Sequence, residues 1–114
     1  MAYQFPKEIQ EKLANFEQLK SQLQAIMSQR GEIEVRKKEL DSSIDALKKR
    51  DDGDVFRRVG DILIKVKDTE TLVKELEEES ETLGVRIRSL SSQEKNAKEM
   101  YEKLANEINE SIKG

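Results

Sequence analysis

An unbroken heptad rhythm runs through each half of this chain, and few folds accept two such runs on either side of a short break. In the first half, apolar residues recur at alternating steps of three and four: Ile9, Phe16, Leu19, Leu23, Ile26, Ile33, Leu40, Ile44 and Leu47. The same grid lands on Lys12, Arg30 and Lys37, so nine of twelve seam positions are apolar and the phase never changes. The second half repeats the pattern with Val73, Leu76, Leu83, Ile87, Leu90, Ala97, Tyr101, Leu104 and Ile108, and with Ser80, Glu94 and Ser111 on the grid. Heptads sustained over this length are the signature of helices that pack along a seam. Each arm spans about 43 residues, or about 65 Å as a helix. Equal arms around a short bend are expected to fold back on each other as one long antiparallel coiled-coil hairpin. Pairing Leu47 with Val73 then sets Ile44 opposite Leu76, Ile33 opposite Ile87, Leu19 opposite Tyr101 and Phe16 opposite Leu104. The expected organisation is a single domain over 1–114, with a first helix at 6–50, a β-hairpin at 54–67 and a second helix at 69–112.

Composition agrees with long helices rather than a compact globule. Charged residues make up 39% and apolar residues 35% of the chain, with no Trp, which is a poor supply for a large core. The Glu, Lys, Leu and Gln that dominate are strong helix formers arranged by period, which separates the chain from disordered sequences. With no Cys and no His, thiol nucleophiles, disulfides and the usual zinc sites are excluded. No phosphate-binding loop is present, and a two-helix coil offers no pocket in which to desolvate an acid. The expectation is a protein that is not an enzyme and carries no cofactor or metal. The Glu75, Glu77, Glu78, Glu79 and Glu81 cluster reads as a solvated helix face. Interspersed charges summing to −3 argue against nucleic-acid binding. The Met1–Gln10 segment is not an apolar signal peptide, and no run approaches a membrane span, so a soluble cytoplasmic protein is expected.

Charged seam residues Lys12, Arg30, Lys37 and Glu94 read as register devices, since they penalise slipped pairings. Arg30 and Glu94 lie about one layer apart in the pairing above. Gly31 and Gly84 fall inside the helices, each at a cost of about 1 kcal/mol relative to Ala, and mark a candidate soft point.

Between the arms, Asp54 to Val66 (DVFRRVGDILIKV) is the one stretch rich in β-branched residues. A two-residue Gly60-Asp61 turn of type II′ would pair Val59 with Ile62, Arg57 with Ile64 and Val55 with Val66. One face then carries Val55, Val59, Ile62, Ile64 and Val66, broken by Arg57; the other carries Phe56 and Leu63 among charges. Arg57 and Arg58 read as edge residues against promiscuous pairing. An isolated hairpin is marginal in water, and two helices are too thin to cover it. Hairpins from several chains joined into an intersubunit β-barrel would satisfy both the face and the open edges. At the other end, Met1, Tyr3, Phe5, Ile9, Leu13 and Phe16 meet Tyr101, Leu104, Ile108 and Ile112, an apolar tip that reads as a contact site.

The hairpin residues carry a family likeness. Asp54-Val55-Phe56-Arg57-Arg58-Val59-Gly60-Asp61-Ile62-Leu63-Ile64-Lys65 resembles the segment of β-class prefoldin subunits in which an aromatic-basic pair leads into Val-Gly and an Ile/Leu/Val-Lys strand. The matched arms, the Gln-rich stretch Leu19 to Gln24 and the short tail extend the likeness over essentially the whole chain. Phe56 for Tyr, Arg57-Arg58 for Lys plus a small residue, and Asp61 for Asn depart from the usual pattern without altering the hairpin. The single hairpin points to the β class, and the short tail to an archaeal form. The resemblance implies an ATP-independent holding chaperone: a hexamer of two α-type and four β-type subunits, with a β-barrel platform and coiled coils whose tips grip unfolded polypeptide. It implies delivery to a group II chaperonin. On this sequence the oligomerisation residues would be Val55, Val59, Ile62, Ile64 and Val66. The client-binding tip would be Phe5, Ile9, Leu13, Leu104, Ile108 and Ile112. The competing expectation is a structural coiled-coil scaffold that oligomerises through its β-hairpin.

Overall fold

A computed structural model of the chain describes residues 5–113. Two long helices, α1 (Lys7–Lys49) and α2 (Thr69–Lys113), flank a two-stranded antiparallel sheet of β1 (Phe56–Val59) and β2 (Ile62–Lys65). The mainly α fold expected from the heptads is therefore present, with the small β-hairpin at the bend. The chain forms two compact units, one of residues 1–31 with 88–114 and one of residues 32–87.

Local chemistry sets the helix ends. Pro6 stands immediately before α1, and its carbonyl accepts the Gln10 N–H at 3.0 Å. Lys48 and Lys49 occupy the last turn of α1, where cations suit the helix dipole. The helix stops at Lys49, against an expected end at 50. Gly53 takes a positive φ of 153° in the following loop, where the Arg50 guanidinium donates to the carbonyls of Asp51 and Gly53. At the start of α2, Asp68 is the cap: its carboxylate accepts the Thr71 N–H at 3.1 Å and the Thr71 hydroxyl at 2.6 Å. The hydroxyl bond first, then the N–H bond, hold the Asp68 carboxyl below its ordinary value. A lowered folded-state value means that the cap's contribution is present above the ordinary carboxylate range and fades as pH falls through the lowered value.

In the unit of residues 32–87, the heptad positions of both helices turn inward. Ile33, Leu40, Ile44 and Ser80 are buried on the grid, and Leu47, Val73, Leu76, Leu83 and Ile87 are half-buried. Leu72 is also buried although it lies one residue off the grid. The antiparallel arrangement is fixed by polar contacts along the seam flanks. Arg36 pairs with Glu79 at 3.0 Å and Lys48 with Glu77 at 3.1 Å, and the Ser80 hydroxyl donates to Asp41. That bond, with a further one from Lys37, lowers the Asp41 pKa. Lys37 thus serves its own helix, reaching Asp41 at 2.9 Å, and not a partner across the seam.

The unit of residues 1–31 and 88–114 follows the same rule, with Leu90, Ala97 and Ile108 buried. Phe16 stacks on Tyr101 with ring centroids 4.5 Å apart, one step from the layer that pairs Phe16 with Leu104. Rings of this length reach the adjacent layer. Arg30 meets Glu94 at 3.0 Å, with side chains only 25% and 11% exposed. A part-buried charge left alone costs more than an exposed one. Glu94→Ala is therefore expected to destabilise the chain by about 1–3 kcal/mol, whereas Glu79→Ala, in an exposed pair, should cost about 0–1 kcal/mol. Urea unfolding of the two variants measures the difference.

Gly31 is half-buried inside α1, and a Cβ added there would meet nothing within 4 Å. Its presence is therefore not required by packing. Gly31→Ala is expected to raise stability by about 1 kcal/mol, seen as a higher urea midpoint with an unchanged slope.

Candidate functional site

The hairpin register is the one the turn chemistry demands. Val59 pairs with Ile62, Arg57 with Ile64, Arg58 with Leu63 and Phe56 with Lys65, and the Val66 N–H donates to the Val55 carbonyl at 2.8 Å. Gly60 has φ 61° and among the described residues no non-glycine residue has positive φ, so the turn is type II′. An L side chain at Gly60 would be strained there. Alternation along the strands places Val55, Arg57, Val59, Ile62, Ile64 and Val66 on one face. Arg57 reaches Glu75 of α2 at 3.7 Å, which turns this face toward the α2 side of the unit.

That ion pair does not cover the apolar residues. Val59, Ile62 and Ile64 all stay exposed, Ile62 by 60%, and only Val55 and Val66, at the base, are half-buried. On the second face Phe56 is exposed and Leu63 is 68% exposed. A two-stranded sheet this apolar and this open lacks the cover that stabilises such sheets, and its outer strand edges are free to pair. Arg58 donates to the Gly60 carbonyl and Lys65 pairs with Asp54, so these two cations serve the hairpin itself, while Arg57 reaches α2. The Glu75 to Glu81 run is likewise partly consumed by Arg57, Lys48 and Arg36. Among the described residues no group of acidic side chains could hold a metal ion, and no helix is long and apolar enough to cross a membrane.

The second surface is built where the start of α1 meets the end of α2. Lys12 donates to the Ser111 hydroxyl at 3.4 Å, setting the Ile9–Leu13 turn beside the Ile108–Ile112 turn. Phe5, Ile9, Leu13 and Leu104 are half-buried, and Ile112 is 52% exposed. Ile108 is 7% exposed and packs the seam, so it offers less side chain than its neighbours at this end. Met1 and Tyr3, also named from sequence, lie outside the described residues. One exposed apolar residue nearby escaped the heptad reading: Met100, one position before the seam residue Tyr101, is 61% exposed.

The chain as a whole has counterparts among known proteins. A family profile described as Prefoldin subunit matches residues 10–114. The chain belongs to the prefoldin subunit family. It is 32% identical over 113 residues to the prefoldin subunit beta of Methanothrix thermoacetophila, covering 98% of this chain and 93% of that protein. It is 36% identical over 99 residues to the prefoldin subunit beta of Archaeoglobus fulgidus, covering 86% and 84%. The crystal structure of the prefoldin beta subunit from Thermococcus strain KS-1 superposes with a TM-score of 0.84 at 28% identity, covering 99% of each chain. The likeness to an archaeal β-type prefoldin subunit is thus borne out. Membership of the prefoldin family implies a chaperone-type holding function and hexameric assembly with other prefoldin subunits.

Proposed function

We propose that this chain is the β-type subunit of a cytoplasmic, ATP-independent holding chaperone, assembled as two α-type and four β-type subunits. The observation that carries the reading is the uncovered apolar hairpin: Val59, Ile62 and Ile64 are exposed on a two-stranded sheet. In the proposed assembly, Val55, Val59, Ile62, Ile64 and Val66 line a β-barrel shared between subunits. Closure removes every free edge and buries the face at about 25 cal/mol per Å².

Client capture is assigned to the tip formed by Phe5, Ile9, Leu13, Leu104 and Ile112. Unfolded polypeptide exposes apolar segments, and each tip buries a little of that surface. One tip binds weakly; several tips around one client raise avidity through effective concentration, while each contact still releases quickly. Such capture consumes no nucleotide, because burial of apolar surface is its driving force. Quick release suits hand-off to a group II chaperonin, the delivery step the family likeness implies. The test is light scattering from a chemically denatured protein diluted into the assembled complex. Suppressed aggregation, equal with and without ATP, supports the reading; scattering unchanged by the complex contradicts it.

A further inference from the structure

One residue breaks the hairpin face that the proposed barrel buries. Val55, Val59, Ile62, Ile64 and Val66 are apolar, but Arg57 stands among them on β1, directly across from Ile64. Its guanidinium carries five donors and a charge that it cannot shed. In the single chain the side chain is 57% exposed, so water serves those donors. Its one ionic contact among the described residues is Glu75 of α2, which approaches a terminal nitrogen at 3.7 Å and is itself 58% exposed. That distance is beyond hydrogen-bonding range. The other two strand cations, Arg58 and Lys65, lie on the opposite face of the sheet and are engaged there with the Gly60 carbonyl and Asp54. Arg57 alone is carried into the barrel with its fork of donors unserved.

We infer that Arg57 selects the neighbouring subunit, a reading that rests on the hexamer proposed above. The strand that joins the free edge of β1 belongs to an α-type subunit and sets an Asp or Glu carboxylate beside Arg57. The free edge of β2, which carries Ile62 and Ile64 on the buried face, is left for a second copy of this chain. Three considerations select this arrangement. First, a second copy laid against β1 offers Arg57 no acceptor, because its own buried face holds apolar residues and another Arg57. A charge taken from water without partners is strongly unfavourable, and two like charges in one dry layer add repulsion. Second, residues directly opposite on adjacent strands have Cβ atoms about 4.5–5.5 Å apart, close enough for a carboxylate to meet the guanidinium fork. Third, two α-type subunits present two flanks each, which gives one α-type flank to each of the four copies of this chain. The wrong neighbour is penalised as well as the right one rewarded, which is how closely similar surfaces are told apart.

The test is native mass spectrometry of the full chain, alone and titrated with α-type prefoldin subunits. Arg57→Val is expected to self-assemble without the α-type subunit, at concentrations where the wild-type chain does not. Arg57→Glu is expected to weaken α-type incorporation about a hundredfold, while Glu75→Gln leaves it unchanged. Arg57 is exposed in the single chain, so far-UV circular dichroism of each variant should match the wild type. Charge reversal supplies a readout that a merely structural role would not move. In a set of α-type variants, each with one Asp or Glu of a hairpin strand changed to Lys, one is expected to restore assembly with Arg57→Glu. The same variant should fail with the wild-type chain. If Arg57→Val and Arg57→Glu assemble as the wild type does, or no α-type variant restores Arg57→Glu, selection by Arg57 is overturned while the hexamer stands. Glu75→Gln behaving like Arg57→Glu would place the pairing carboxylate on this chain and overturn it equally. A wild-type chain that ignores the α-type subunit overturns both the selection and the hexamer.

Discussion

Replacing Ile62 and Ile64 by lysine is expected to release the chain from its assembly as a helical monomer. The two side chains are exposed in the single chain, on the same hairpin face as Val59, so within the chain alone the exchange removes no contact of the core. In a closed barrel the same positions face inward. There each lost isoleucine removes about 1.5–3 kcal/mol of burial, and each ammonium adds a desolvation penalty of several kcal/mol. Summed over several copies, that exceeds what a barrel of short strands can absorb. Helix content should persist, because the buried seam residues all lie in α1 and α2 and none in the hairpin. Native mass spectrometry with far-UV circular dichroism reads both quantities. A mass that stays at the oligomer value would refute assembly through the hairpin.

Removing residues 105–114 is expected to do the reverse: assembly survives and client holding fails. The deletion takes Ile108 and Ile112 and leaves Lys12 without its Ser111 contact, opening the end of the seam. It leaves residues 32–87, and with them the hairpin, untouched. Avidity amplifies the loss. A tenfold weaker tip, with two or three tips engaged on one client, lowers overall affinity by about two to three orders of magnitude. Aggregation of a denatured client followed by light scattering should therefore rise to the level seen without chaperone, at unchanged complex mass. Undiminished suppression would place the client site elsewhere on the chain.

Much of the fold is legible in the sequence because a seam is a linear code. Every grid position from Ile9 to Leu47 and from Val73 to Ser111 is buried or half-buried, including the charged ones, since position on the helix decides burial and residue type only sets its cost. The hairpin register was legible for a similar reason: one glycine at φ 61° fixes the turn, and the turn fixes every pair. What the grid misses depends on three-dimensional surroundings. Leu72 is buried off the grid at the start of α2. The Phe16–Tyr101 stack crosses layers because aromatic side chains are longer than the rise between them. The tip was half legible. The grid separates Ile108, a seam position that is buried, from Ile112, one position past Ser111 and facing solvent, but it says nothing of how much apolar surface the tip leaves open. The exposed Met100 was not legible at all, because it lies on the flank, where a heptad grid records nothing.

The central claim, that this chain is the β-type partner in a prefoldin assembly, is tested most directly by native mass spectrometry. The chain is measured alone and after mixing with α-type prefoldin subunits. The account predicts a complex of two α-type subunits and four copies of this chain. A monomer or simple dimer that ignores the α-type subunit would contradict it.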